Sequence, residues 1–349
     1  MTPRAESGGP SEERFTAPAA ARIQRRDLSR RIVVLAVRYG TFIGLVLWVA
    51  VMAFASANFL TPINLLNVAR QTAPIIVIGI GATFVMATAG IDLSVGSIVA
   101  LVSCLAASWL RDGMAAPVAV VAVIVAGGGL GCVNGMLVSL GVPAFIATLG
   151  ALVSIRGLAF VYSHGHAIPI ANEAFLWLGR GDLLGVNIPF VLAVLVTLAG
   201  LFVLNRTRFG LHALAVGGRE EAARVMGLPI GRIKIAVYGI SGALAALGGV
   251  VIAARLSNGS PNAGMSLELD AISAVVLGGT SLFGGSATVI GTVIGALFIN
   301  FIRNGLNLLD VDPYWVQVVT GIVLISAVLL NTIVNRRVEQ WARHQVGDE

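Results

Sequence analysis

Charged side chains are scarce in this chain, and the scarcity excludes whole classes of protein. Asp, Glu, Lys and Arg make up 11% of its 349 residues, whereas a soluble globular protein has about 25%. The two cysteines, Cys104 and Cys132, are too few for a disulfide-stapled secreted fold. Hydrophobic residues, by contrast, make up 57% of the chain, and the mean hydropathy is +0.90. The composition therefore predicts an all-α polytopic membrane protein.

Long stretches without an ionisable side chain mark the candidate spans. A spanning helix needs about 20 apolar residues, because each residue rises about 1.5 Å across a hydrocarbon core of about 30 Å. Two stretches are too long for one straight helix, so we divide 113–155 at Gly141-Val142-Pro143 and 271–302 at its glycine-rich part, 278–285. The division gives nine or ten spans, one of them discontinuous. The stretches are 39–69, 71–91, 93–110, 113–155, 157–172, 183–205, 235–254, 271–302 and 313–335.

Basic residues gather in three segments, which the positive-inside rule places in the cytoplasm. They are the first 38 residues with eight arginines, residues 205–234 with five arginines and the only lysine, and the tail after residue 335 with three arginines. Since an even number of spans must separate cytoplasmic segments, we predict ten spans with both termini cytoplasmic.

Three parts follow from this topology. We predict that residues 1–38 form a largely disordered cytoplasmic tail, residues 39–335 a transmembrane domain with a cytoplasmic loop at 205–234, and residues 336–349 a second cytoplasmic tail. The net charge of +6 is explained by topology, so membrane lipid is an expected partner and nucleic acid is not.

Motifs for nucleotide binding and catalysis are missing. The single lysine, Lys234, is followed by isoleucine, so the chain contains no G-x-x-x-x-G-K-[ST] phosphate loop. Neither H-E-x-x-H nor G-x-S-x-G occurs. We therefore expect no enzyme activity, no cofactor and no metal, and we interpret His164 and His166 as part of a polar outer loop.

Ionisable residues within the spans are also few. Asp92 and Arg156 lie inside apolar stretches, and Glu268 and Asp270 lie at the edge of one. Carriers driven by protons or sodium place such groups in the middle of the membrane. The pattern argues against an ion-coupled secondary carrier, although that alternative stays open.

The cytoplasmic loop contains a short predicted helix. Two glutamates stand in its first turn, a Glu–Arg pair has i, i+4 spacing, and a glycine and a proline stop it. Its small apolar face suits a groove on a partner protein, with a helix lying on the membrane surface as the alternative. The residues that we assign to this candidate docking site are Glu220, Glu221, Ala222, Ala223, Arg224, Met226 and Gly227.

Two further segments contain candidate residues for a translocation path. In the first, Asp92, Ser94 and Ser97 either cap the helix that follows or line the path. The second is the break at residues 278–285, where we select Gly278, Gly279, Thr280 and Ser281, because non-helical backbone within a membrane must face protein or water.

Two weaker patterns accompany that second segment. Small residues at 287, 291 and 295 favour close helix packing, either within the subunit or in a dimer. Asp92-Leu93-Ser94 and Asp270-Ala271-Ile272-Ser273 each open a span from opposite sides, which suggests an inverted repeat of spans 2–5 and 7–10.

These segments together resemble the permeases of ribose-type ABC importers, which carry ribose, xylose, arabinose or autoinducer-2. Glu221-Ala222-Ala223 followed by Gly227 is similar to the EAA loop of such permeases, and residues 90–97, Gly-Ile-Asp-Leu-Ser-Val-Gly-Ser, match the ribose-type pattern. The I-x-L-P sequence of maltose-type permeases is absent. The resemblance runs from about Asn58 to Leu330 and is densest over 254–309.

The resemblance implies a function and a set of partners. It implies a permease subunit, in a bacterial inner membrane, of an ATP-driven importer for a monosaccharide, either ribose or a related pentose or hexose. The partners would be a cytoplasmic ATPase that docks on the loop around 219–227, a periplasmic sugar-binding protein, and a second permease copy, identical or paralogous. The outer loops 163–186 and 255–270 would face the binding protein.

Overall fold

The computed structural model describes residues 40–312, 314–323, 325, 326 and 329. The predicted tails, 1–38 and 336–349, lie outside the described residues, as does the end of the last predicted span, 330–335. The described helices belong to one compact unit, residues 41–331.

The described part of the chain is mostly helical, and its few strands are two residues long. The helices are α1 (Gly40–Ala55), α2 (Pro62–Ala87), α3 (Val95–Arg111), α4 (Ala116–Ser139), α5 (Ala144–Ser163), α6 (Glu173–Arg180), α7 (Ile188–Arg206), α8 (Arg208–Gly218), α9 (Glu220–Val225), α10 (Ile230–Leu256), α11 (Leu267–Leu277), α12 (Val289–Leu308) and α13 (Tyr314–Val323). The strands are β1 (Ile168–Pro169), β2 (Asp182–Leu183), β3 (Val186–Asn187) and β4 (Asn258–Gly259), paired β1 with β4 and β2 with β3, both antiparallel.

Local sequence explains where several helices begin. The side chains of Thr61, Asn187 and Thr288 each accept a hydrogen bond from a backbone N–H in the first turn of α2, α7 and α12. These oxygens satisfy donors that the helix itself leaves unpaired. Proline stands in the first turn of α2, α4 and α7, where it has no N–H to lose.

The all-helical membrane class is confirmed, whereas the count of ten spans stays a prediction. Six helices are long and apolar enough to cross a membrane: α2, α4, α5, α7, α10 and α12. The other four predicted spans contain the shorter helices α1, α3, α11 and α13. The predicted break is present, because α11 ends at Leu277, residues 278–288 are not helical, and α12 begins at Val289.

Helices α2 and α10 form the centre of the unit. Helix α10 packs against α2, α3 and α4, and α2 packs against α7, α10, α11 and α12. Every residue of α2 from Thr72 to Ala87 is buried. Apolar character alone does not explain this burial, because α7 is more apolar than α2 and is largely exposed; the helices packed around α2 cover it.

Helices α4 and α10 approach each other through glycines. A Cβ atom on Gly131 would overlap the carbonyl oxygen of Tyr238, and one on Gly242 would overlap the carbonyl oxygen of Gly127. Small residues at a helix contact let the backbones come close, which is the main source of packing energy between membrane helices.

The small residues of α12 pack within the subunit. A Cβ on Gly291 would overlap the carbonyl oxygen of Gly278, and one on Gly295 would overlap that of Ala274 in α11. Of the two alternatives for this pattern, the structure shows the contact inside the subunit.

The bundle has two ends. Helix α10 begins beside α9, where Lys234 pairs with Glu220, and α2 ends against Gly217 of α8. We name this the α8–α9 end. The opposite end, where α10 finishes and β1 pairs with β4, is the far end.

Replacing Gly131 with alanine tests the α4–α10 contact. The added methyl group would meet the Tyr238 carbonyl, so we expect the melting temperature of the detergent-solubilised protein to fall by about 2–6 °C. Gly129→Ala is the matched control, because Gly129 lies in the same helix and has no atom within 4 Å of its Cβ position. Equal melting temperatures for the two variants would contradict the close contact.

Candidate functional site

Two short helices connect α7 to α10 at the α8–α9 end. The structure confirms the predicted helix as α9, which contains Glu220 to Val225, and adds α8, which the sequence analysis missed. Thr207 separates α7 from α8 and accepts a hydrogen bond from the N–H of Gly210. Five of the assigned docking residues lie in α9, and Met226 and Gly227 follow it directly. The predicted loop 205–234 is therefore largely helical.

Glu220 anchors α9 to the long helix α10. Its Oε2 accepts a hydrogen bond from Lys234 Nζ at 2.8 Å, and its Oε1 accepts one from Arg224 at 3.2 Å. The hydrogen bond from Lys234 holds the pKa of this carboxyl below its usual range, with Arg224 contributing in the same direction. The carboxylate is thus ionised, and the ion pair intact, throughout the neutral pH range.

One side of α9 faces the protein and the other is exposed. Ala223 is fully buried, whereas the side chains of Val225 and Met226 are 88% and 68% exposed. Gly227 adopts a φ of +76°, and its N–H bonds to the Arg224 carbonyl, which ends the helix as predicted. Two exposed apolar side chains next to each other on a rigid turn are suited to fill a groove on another protein.

The break between α11 and α12 lies at the same end as α8 and α9. Gly285 N–H donates to the Ala87 carbonyl at 3.2 Å. A Cβ on Gly217 would overlap that same carbonyl, and Gly284 lies against Ala89 and the Gly217 carbonyl. The backbones of α2, α8 and the 278–288 connection therefore meet directly, with no side chain between them.

The candidate path residues of the 278–288 connection mostly bond to other residues of that connection or pack on α12. Thr280 is buried, and its Oγ1 accepts a hydrogen bond from the N–H of Thr288 at 3.1 Å. Ser281 bonds to Ser286 through its N–H and to Phe283 through its Oγ. Gly278 packs on α12, and Gly279 has a φ of +84°. Their place in a path stays a prediction.

Asp92 is the centre of a buried hydrogen-bond network. Its Oδ1 accepts from Ser94 N–H at 3.0 Å and from Ser94 Oγ at 2.6 Å, and its Oδ2 accepts from Ser241 Oγ on α10 at 2.8 Å. Asn134 of α4 donates to Ser94 Oγ at 2.8 Å, and Ser97 Oγ donates to the Ser94 carbonyl at 2.7 Å. The network ties the non-helical residues 88–94 to α4 and α10.

The three polar side chains of this segment are buried within the subunit. Asp92 is 2% exposed, and Ser94 and Ser97 are 0% exposed. Asp92 lies before the beginning of α3 and bonds to Ser94, the residue that directly precedes the helix. It therefore stabilises the backbone that leads into α3. A place for these residues in the path stays a prediction. The sequence contained no local signal for the partners Ser241 and Asn134, because they lie on other helices.

A second non-helical segment, residues 257–266, lies beside α3 and α5. Arg156 of α5 donates to the carbonyls of Pro261 at 3.0 Å, Ala263 at 2.7 Å and Gly264 at 3.4 Å. We predicted 255–270 to be an outer loop. Only its first residues lie at the far end, because Arg156 and the close contact of Gly264 with Gly96 hold the rest between helices.

A bidentate ion pair joins the helices on either side of the break. Arg303 of α12 donates to both carboxylate oxygens of Asp270 in α11, at 2.6 and 2.8 Å. Parallel N–H···O bonds of this kind fix geometry as well as charge. Asp270 therefore has a structural role, as the partner of Arg303.

No group of three or more His, Cys, Asp or Glu side chains that could hold a metal occurs among the described residues.

Comparisons with known proteins match almost the whole described region. A family model described as "Branched-chain amino acid transport system / permease component" matches residues 64–328. The ribose import permease protein RbsC of Escherichia coli K12 is 43% identical over 296 residues, covering 83% of this chain and 92% of the relative. RbsC of Bacillus subtilis is also 43% identical, covering 84% and 92%. The L-arabinose ABC transporter permease protein AraH of Azospirillum brasilense is 36% identical, covering 92% and 93%. No solved structure gives a significant match.

Replacing Asp92 distinguishes a structural role from a place in the path. Asp92→Ala leaves the Ser94 and Ser241 donors without an acceptor in a buried site, which costs about 1–3 kcal/mol. We expect the folded amount, measured by size-exclusion chromatography, to fall at least about threefold. Asp92→Asn keeps an acceptor for Ser94 and is expected to fold nearly as well as the natural protein. If Asp92→Asn folds normally but its transport rate per folded molecule drops, the carboxylate acts in the path.

Proposed function

This chain belongs to the family of transport-system permease components whose model matches residues 64–328, and we propose that it carries a monosaccharide, ribose in the first instance, through the bacterial inner membrane. The observation that carries the proposal is the 43% identity to ribose import permeases over 92% of their length. Xylose, arabinose and other pentoses or hexoses are the nearest alternatives, since a relative named for L-arabinose is 36% identical.

The energy for transport would come from a separate ATPase subunit. The relatives are named as permeases, and the sequence has no phosphate-binding loop. The ATPase would dock on α9 and the residues that follow it. The exposed Val225 and Met226 would enter a groove of the ATPase, while the Glu220–Lys234 pair would transmit its movement to α10.

A sugar-binding protein would dock at the far end. The antiparallel pair β1–β4 joins the two segments that we predicted to face outward, since Ile168 pairs with Gly259 and Pro169 with Asn258. Helix α6 packs on α10 at this end, and Arg180 Nε donates to the Arg255 carbonyl at 3.1 Å. The strand pair and the α6–α10 contact fix the surface of the far end, on which a protein that delivers sugar from the periplasm would dock.

We propose ten crossings with both termini in the cytoplasm. Residues 205–234 contribute their basic side chains at the α8–α9 end, which supports a cytoplasmic location for that end. The paired long helices α2 and α10, each followed by a non-helical segment and a shorter helix, support the proposed inverted repeat. A second permease copy, identical or paralogous, would complete the path.

The function is tested by transport in proteoliposomes. The permease is reconstituted with the ATPase and binding protein encoded beside it, and uptake of labelled ribose is measured with ATP inside or outside the vesicles. We expect uptake only where ATP reaches the α8–α9 end, with no dependence on a proton or sodium gradient. Uptake that follows an ion gradient without ATP would instead indicate a secondary carrier. Competition by xylose, arabinose and allose identifies the preferred sugar.

Replacing Val225 with aspartate tests the docking site. The side chain is 88% exposed, so a charge there should leave the fold intact while opposing entry into an apolar groove. Loss of one buried side chain of this size costs about 1.5–3 kcal/mol, so we expect co-purification of the ATPase to weaken at least tenfold and uptake to fall with it.

Leu184→Asp is the matched control for that substitution. Leu184 is an exposed apolar residue between β2 and β3, at the far end. It should leave ATPase binding unchanged. Normal ATPase binding by the Val225→Asp variant would remove α9 from the docking surface.

A further inference from the structure

The non-helical segment 257–266 reaches deep into the helix bundle. Gly259 lies against Ser103 and Ala107 in α3, and Gly264 lies against Gly96 and Val99, near the beginning of the same helix. With a rise of about 1.5 Å per residue, Gly264 lies about 20 Å from the far end of α3. Since the hydrocarbon core is about 30 Å thick, this segment ends within its middle.

Arg156 independently places the segment at this depth. It is twelve residues from the beginning of α5, which corresponds to about 18 Å from the α8–α9 end. Its guanidinium donates to the carbonyls of Pro261, Ala263 and Gly264, and within the described part of the chain only the last of these also accepts a backbone hydrogen bond, from the N–H of Leu267. Ser103 Oγ also accepts from the N–H of Ser260 at 3.2 Å. Placing an arginine within the membrane costs free energy, and hydrogen bonds to its guanidinium offset that cost. The three bonds from Arg156 therefore hold the segment in a fixed position.

One side of the fixed segment is open. Asn262 and Ser266 are exposed, and so are Met265 and Leu269, at 67% and 56%. Glu268, the second residue of α11, is partly exposed, and its charge interacts with that of Arg156. Its buried Oε2 has no hydrogen-bond partner among the described residues. An exposed amide, an exposed hydroxyl and a partly exposed carboxylate beside irregular backbone cannot face lipid at this depth.

We propose that Asn262, Ser266 and Glu268 form a sugar-contact site halfway along the path, with Arg156 as the positioning residue that holds their segment in place. The proposal rests on the proposed function, and it assigns to the path a different surface from the buried Asp92 network. Amide, hydroxyl and carboxylate groups supply the donors and acceptors that the hydroxyls of a pyranose or furanose need. Met265 and Leu269 supply apolar contact for the C–H groups of the ring. Because the site has few polar groups, it would bind the sugar weakly and release it quickly during transport.

Accessibility of single cysteines tests the site. In the complete transporter, with Cys104 and Cys132 replaced by alanine, Asn262→Cys and Ser266→Cys are treated with a charged, membrane-impermeant methanethiosulfonate reagent. We expect both to react at least tenfold faster than Ser154→Cys, and saturation of the binding protein with ribose to slow the reaction at least threefold. Ser154 is the matched control, because it is exposed on α5 but lies two residues from Arg156 and so on the opposite face of that helix.

An isosteric substitution tests the chemistry of the same site. Glu268→Gln keeps the size of the side chain and removes its charge. We expect ribose uptake per folded transporter to fall at least fivefold, while the amount of folded permease and the ATPase activity without binding protein stay within twofold of the natural protein.

The outcomes separate this proposal from the proposed function. If the natural transporter takes up no ribose or other monosaccharide, the proposed function fails. If it takes up ribose normally but Glu268→Gln has no effect, only the sugar-contact site is rejected. Cysteines at 262 and 266 that react as slowly as the one at 154 also reject it, since lipid or the second permease then covers the segment.

Discussion

The structure depends on one constraint: in hydrocarbon, every backbone N–H and C=O must find its partner within the protein. Helices meet this requirement alone, but the described part of the chain also packs non-helical segments against its helices, among them 88–94, 257–266 and 278–288. Each of these three obtains partners from elsewhere. The Ile91 carbonyl accepts hydrogen bonds from Tyr238 and Thr148, Arg156 serves the second segment, and Ala87 pairs with the third. The positions of several side chains on distant helices follow from these needs.

The same constraint explains why the central helices α2 and α10 have few lipid-facing residues. These three non-helical segments are adjacent to one or both of them, so these helices form the wall that shields irregular backbone from lipid. Glycines in α4 and α10 shorten the distance between the helices, and buried hydroxyl groups such as Ser241 then reach the backbone and carboxylate groups that need them. Close helix packing and the hydrogen bonds of buried polar groups thus depend on each other. A larger side chain at Gly131 would displace α10, and with it the hydroxyl groups of Tyr238 and Ser241.

The sequence alone predicts those features that have a local cause. Apolar length predicts the spanning helices, four glycines in 278–285 predict the break before α12, and Glu220, Arg224 and Gly227 predict the beginning and end of α9. Features that depend on contacts between residues far apart in the sequence cannot be predicted in this way. The depth of 257–266 depends on Arg156, about a hundred residues earlier, and its uncharged sequence, rich in serine, asparagine and glycine, is equally typical of an outer loop. Helix α8 was missed because its basic residues and glycines are common in loops, and the buried state of Asp92 depends on Ser241 and Asn134.

The ion pair between α9 and α10 has a practical consequence, because Lys234 is the only lysine in the sequence. Its Nζ lies 2.8 Å from Glu220, and its side chain is 15% exposed. An amine-selective reagent therefore has a single side-chain target in the whole chain, and that target is shielded for as long as α9 remains seated. The rate of acylation at this amine in the purified protein therefore indicates whether α9 is seated on α10, without an engineered label.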